Sequence, residues 1–64
     1  MSDIPKAKDL YKGDINEAVI AVQNAAGVKV TPEWWSQNVG NDGATDEILA
    51  RFDEAYAKLV ASSQ

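Results

Sequence analysis

Neither cysteine nor histidine occurs anywhere in this chain, and that absence limits what it can fold into more than any other feature. No disulfide can constrain the unfolded state, and the ligands that most often hold structural zinc or haem are missing. A folded form must therefore rest on a hydrophobic core alone. The chain has 64 residues, and a domain of about 60 residues buries only about 60% of the surface that its unfolded chain exposes. Ten of its apolar residues are alanine and only three are leucine. The expected core is thin, with net stability of about 3–5 kcal/mol, so support from a second chain is a natural expectation.

The same absence removes the imidazole base and the thiol nucleophile, and with them most catalytic designs. Hydrophobic residues make up 45% and charged residues 25% of the chain, close to the averages of soluble globular domains and away from the composition of disordered segments. No apolar run has the length of a membrane span, and the N-terminus lacks the basic, apolar and small-residue order of a signal peptide. The expectation is a single small cytoplasmic domain over residues 1–64, without an internal repeat or linker.

Asp14-Ile15-Asn16-Glu17 reads as a helix start, with Asp14 capping the N–H three residues on and Glu17 reaching back to the cap's own N–H. The predicted helix runs to about Ala26. It gathers Ile15, Ala18, Val19, Val22, Ala25 and Ala26 on one face, and Gly27 is its left-handed stop. Val28-Lys29-Val30 is an extended link with no alternating partner run for a strand.

Thr31-Pro32-Glu33 opens a second, short helix to about Val39: threonine can cap, proline suits the first helical position, and glutamate favours the positive end of the dipole. Val30 and Trp35 have the spacing of a hydrophobic staple, which predicts Trp35 inside with Val39 and Pro32. After the polar turn 40–43, a third helix is predicted from a Thr45 cap to about Ala61. Its stripe of Ile48, Leu49, Phe52, Ala55, Tyr56, Leu59 and Val60 is wide enough to touch two neighbours, and Glu47–Arg51 and Glu54–Lys58 stand in the favourable order four residues apart. Residues 1–13 read either as a short helix opened by Pro5 or as an arm carrying Ile4, Leu10 and Tyr11. The predicted fold is all-α: a small three-helix bundle with a possible short N-terminal fourth helix or arm.

Reactive chemistry is sparse. Asp46, Glu47, Asp53 and Glu54 lie on the last helix, where the dipole accounts for Asp46 and Glu47 and basic neighbours for Glu47 and Glu54; a solvated structural role is expected of all four, which leaves no pair of carboxylates suited to acid–base work. Residues 38–49 have the length of a calcium loop with Gly43 at its turn, yet that register puts Leu49 where a bidentate glutamate is required. No phosphate-cradling glycine motif occurs. The chain carries 10 acidic against 6 basic residues, a net charge of −4, and its dispersed cations do not form the basic patch that phosphate neutralisation needs. The polar face of the last helix is mixed in charge, which disfavours a membrane surface. No catalytic residue, metal or cofactor is expected, nor nucleic acid or membrane as a partner.

What remains are apolar residues on polar faces. Helical rotation turns Trp34 about 100° from Trp35 and over Asn38, while Ile20 points with Asn16 and Asn24. Large rigid side chains in such positions are the material of interface anchors, although isolated surface hydrophobes are ordinary. The sequence therefore points to a non-catalytic interaction module, an adaptor, inhibitor or regulator that docks a protein through Trp34, Ile20 and Asn38. The alternative is a small structural subunit that self-associates in a homo-oligomer or a larger assembly such as a virus particle.

Overall fold

The computed structural model of the protein describes residues 4–63 and contains, among them, four helices and no strand. They are α1 (Ala7–Leu10), α2 (Ile15–Ala26), α3 (Pro32–Asn38) and α4 (Thr45–Ser63). The helix α4 is central and packs against each of the other three, while α1 also packs on α2. Helices α2 and α3 do not pack directly on one another, and neither do α1 and α3.

Local sequence chemistry sets these boundaries, with some departures from expectation. The Asp14 side chain caps α2 by accepting from the N–H of Asn16 at 2.9 Å, two residues on rather than three, and no return bond from Glu17 forms among the described contacts. Gly27 ends the helix at φ +80°, its N–H donating to the Gln23 carbonyl at 2.8 Å; positive φ is the conformation that glycine adopts without a Cβ penalty. Thr31 caps α3 as expected, accepting from the N–H of Trp34 at 3.1 Å, and the Trp35 carbonyl closes its other end by accepting from both Val39 and Gly40.

The cap of α4 is Ala44 rather than Thr45. The Ala44 carbonyl accepts from the Ile48 N–H at 3.0 Å, and its own N–H donates to Glu47 Oε1 at 3.2 Å. Glu47 thus makes the glutamate half of a capping box from the third helical position, and this fixes the start of α4 without a hydroxyl at the cap. Ending at Ser63, the helix is also two residues longer than its apolar stripe implies.

The N-terminal segment takes the helical alternative, although its single turn begins at Ala7 rather than at Pro5. Lys6, at the cap position, supplies no side-chain bond. The cap comes instead from α4: the Asp53 carboxylate accepts from the N–H of Ala7 at 2.7 Å and from that of Lys8 at 3.2 Å. Ala7 is fully buried beneath this clamp.

The core comprises Ala7, Ala18, Val19, Val22, Val39, Leu49, Phe52, Tyr56 and Val60. The α4 stripe is as predicted, with Leu49, Phe52, Tyr56 and Val60 buried and Ile48, Ala55 and Leu59 partly so. On α2 the face is narrower than expected, because Ala25 is exposed. No buried polar residue occurs among the described residues. The 28–30 link is neither helix nor strand and is held from both sides: the Tyr56 hydroxyl donates to the Val28 carbonyl, and the Val30 N–H donates to Gln23 Oε1 at 3.1 Å.

Candidate docking grooves

The orientation of α3 decides where partner-facing side chains lie. Neighbouring residues on a helix are about 100° apart, so when the line between them faces a support, both side chains straddle it. That is how α3 sits on α4. The Trp35 ring lies 5.5 Å from Phe52 at a tilt of 32°. The Trp34 ring meets Phe52 edge-on at 6.1 Å and Tyr56 edge-on at 6.5 Å. Phe52 and Tyr56 are themselves stacked at 5.1 Å, so four aromatic rings form one cluster with separations typical of favourable pairs.

Two expectations are overturned by this geometry. Trp34 is not an exposed aromatic: it is partly buried and packed against the core. Nor is Trp35 interior in the sense expected, because it is only partly buried, and Pro32 is exposed. Val39 alone of the predicted inward set is buried. Helix α1 packs on α2 and α4 and not on α3.

Two grooves flank this aromatic cluster. One, about 460 Å³, runs between α3 and α4 past Trp34 and Asn38, with Ala55 and Leu59 on its floor. Its walls carry Arg51, Glu54 and Lys58, and these charges are already engaged. Lys58 lies 3.9 Å from Glu54. Arg51 donates to the carbonyls of Val39 and Asp42, each at 3.1 Å, and lies 4.0 Å from Glu47. Asn38 is exposed but turned back on its own helix, donating from Nδ2 to the Trp34 carbonyl at 2.9 Å.

The other groove, about 590 Å³, opens where α2 and α3 fail to meet. Ile15, Val19 and Ile20 line it from α2, Trp35 from α3, Val30 from the link and Ile48 from α4, and its other lining residues are proline and uncharged polar side chains. Ile20 is 54% exposed, as its place on the polar face predicted. The Trp35 indole N–H is satisfied by Asn41 Oδ1 at 3.1 Å, which fixes the ring while leaving apolar surface toward the groove.

The structure therefore separates the three residues that the sequence grouped together. Trp34 and Asn38 belong to the α3–α4 groove, and Ile20 belongs to the α2–α3 groove with Trp35. Sequence reasoning missed Trp35, Val30 and Ile48 as groove residues because each fits a core pattern. The available signal was the pair of adjacent tryptophans on a seven-residue helix, since so short an element cannot enclose two indoles.

Among the described residues no group of three or more acidic side chains is placed to hold a metal ion, and no helix is long and apolar enough to cross a membrane. Burial pushes the Tyr56 hydroxyl above its ordinary pKa, an effect that belongs to the core rather than to either groove. Compared with protein families, curated proteins and solved structures, the chain matches none.

Proposed function

We propose that this chain is a non-catalytic protein-interaction module, a small adaptor, inhibitor or regulator, whose docking surface is the α2–α3 groove. The observation that carries this reading is the groove's lining. In a chain with 25% charged residues, twelve residues line the groove and none is charged. Charged residues are depleted and aromatic residues enriched at the cores of protein interfaces, and a trough with Ile20 on its wall and Trp35 beside it suits an inserted apolar side chain. The α3–α4 groove fits this role less well, because a partner there would have to desolvate the exposed Glu54–Lys58 pair and Arg51, whose bonds to the Val39 and Asp42 carbonyls already serve the fold.

Self-assembly as a small structural subunit is the second reading, supported by the thin core. One experiment separates the two. A photoreactive amino acid at position 20, and as control at exposed position 57, is crosslinked in cells that make the protein, alongside sedimentation of the purified chain. The docking reading expects a discrete heterologous adduct from position 20 alone, competed by added native chain but not by Ile20→Asp chain. An adduct of two copies, with a dimer in sedimentation, would favour the subunit reading. Equal, uncompeted labelling from both positions would overturn both.

A further inference from the structure

The charges around the α2–α3 groove are as one-sided as its floor is neutral. Charged residues adjoining a lining residue in the chain are Asp14 beside Ile15, Glu17 beside Asn16, Lys29 beside Val30, Glu33 beside Pro32, Asp42 beside Asn41 and Glu47 beside Ile48. Five are carboxylates, one is an ammonium, and all six are exposed. Arg51, which pairs with the Glu47 carboxylate and donates to the Asp42 backbone carbonyl, offsets part of this, which leaves the border of the groove net acidic. Glu17 and Glu33 stand three residues before Ile20 and Ser36, exposed lining residues on the opposite helical walls, so by helical spacing each is a surface neighbour of one wall. An uncharged trough thus runs between two acidic shoulders.

From this we infer that the occupant of the groove is an amphipathic helix whose apolar stripe is bordered by lysine or arginine side chains. The inference rests on the docking reading above and names the partner's chemistry. Helices dock in grooves through apolar anchors at i, i+3, i+4 and i+7, and Ile15, Val19, Ile20, Val30, Trp35 and Ile48 offer such anchors an apolar lining. A helical guest keeps its backbone bonds satisfied within itself, and this suits a groove floored by side chains rather than by an open strand edge. The shoulders then select cationic flanks, whereas a second copy would bring carboxylates against carboxylates at a cost in affinity. Nucleic acid and anionic membranes are repelled by the same shoulders.

The test is a titration of the full isotope-labelled chain with three synthetic helices of about 15 residues, a length that supports helix formation. The first carries a leucine stripe with lysine flanks, the second the same stripe with glutamate flanks, and the third the lysines with the stripe scrambled out of period. The expected result is that the lysine-flanked helix shifts the Ile20 methyl and Trp35 indole signals and binds about tenfold or more tightly than the glutamate-flanked one. That advantage shrinks in about 1 M salt, where charges are screened beyond about 3 Å, and also in a Glu17→Gln, Glu33→Gln double variant. Ile20→Ser, a substitution at an exposed site, weakens binding of the lysine-flanked helix about tenfold while the chain stays folded.

Equal binding of lysine- and glutamate-flanked helices in the groove would overturn the partner chemistry and leave the docking reading standing. Equal binding of the scrambled peptide would reduce the attraction to bulk charge and overturn the helical occupant. Groove signals that move only with protein concentration would make the occupant a second copy, and groove signals unmoved by every peptide would overturn the inference, leaving the crosslinking result to decide the docking reading on its own.

Discussion

Asp53, in the middle of α4, accepts hydrogen bonds from the backbone of Ala7, 46 positions away, and of its neighbour Lys8. A one-turn helix is far below the length at which helices are stable alone, so α1 persists through this carboxylate and through the burial of Ala7. Among the described contacts, Asp53 makes the N-terminal cap that Lys6 does not.

Asp53→Ala should therefore cost about 0.5–2 kcal/mol, the usual range for losing an N-cap. The loss should be local. Amide hydrogen exchange at Asp9 and Leu10, whose N–H groups bond to the Lys6 carbonyl, is expected to accelerate more than exchange in α4. Uniform acceleration across all four helices would show that α1 is not a separate unit of stability.

Tyr56 ties α4 to the link after α2 through the Val28 carbonyl. Its hydroxyl is displaced upward by burial, so the unfolded chain ionises first as pH rises. The contribution of this group is fully present below the unfolded phenol value of about 10 and is lost as pH climbs through the higher folded value. Denaturant melts from neutral to strongly alkaline pH should show stability falling above about pH 10. Tyr56→Phe should flatten that fall, and at neutral pH it should cost about 1–3 kcal/mol by leaving the Val28 carbonyl without its partner. An unchanged alkaline slope in Tyr56→Phe would assign the pH dependence elsewhere.

Arg51 reads in sequence as half of an exposed ion pair, a type of contact worth about 0–1 kcal/mol. In the structure it also donates to two carbonyls of the segment that joins α3 to α4. Gly43 lies against it at φ +104°, where an added Cβ would come 3.3 Å from the guanidinium. Arg51→Met keeps the aliphatic stem and removes the donors, and it should cost about 1–2 kcal/mol by thermal melting, more than a surface pair supplies. Glu47→Gln retains an acceptor for the Ala44 N–H and should cost less. Equal effects would mean that the ion pair, not the carbonyl bonds, carries the contribution of Arg51.

These three contacts mark the boundary of what could be read in the chain. Helices α2 and α4 are legible because a period of 3.6 residues and local caps are properties of neighbouring residues. The pairings of Asp53 with Ala7, Arg51 with Val39 and Tyr56 with Val28 span 46, 12 and 28 positions, and no local pattern encodes them. Asp53 and Arg51 look like solvated charges until the elements are packed. The candidate site was legible at Ile20, where one exposed residue breaks one helical pattern, and illegible at Trp34, where the answer depended on which way a seven-residue helix rolls on its neighbour.

That roll leads to the last prediction. A helix with one buried side would make Trp35 structural and Trp34 free, whereas α3 places both rings against Phe52. Both substitutions should then destabilise. A fully buried tryptophan replaced by alanine costs about 3–5 kcal/mol, and two half-buried rings should each cost about 2–3 kcal/mol, a large share of the few kcal/mol expected of so small a core. Thermal melts of Trp34→Ala and Trp35→Ala should fall within about 1 kcal/mol of one another, while Trp34→Phe, which keeps an aromatic edge against Phe52 and Tyr56, should recover about half of the loss. Binding separates the pair where stability does not. Trp35 lines the α2–α3 groove and Trp34 does not, so among phenylalanine variants that remain folded, Trp35→Phe should weaken association with the lysine-flanked helix more than Trp34→Phe. A Trp34→Ala protein as stable as its parent would show that the edge-on contacts contribute nothing, and would return Trp34 to the surface that its position on the helix first implied.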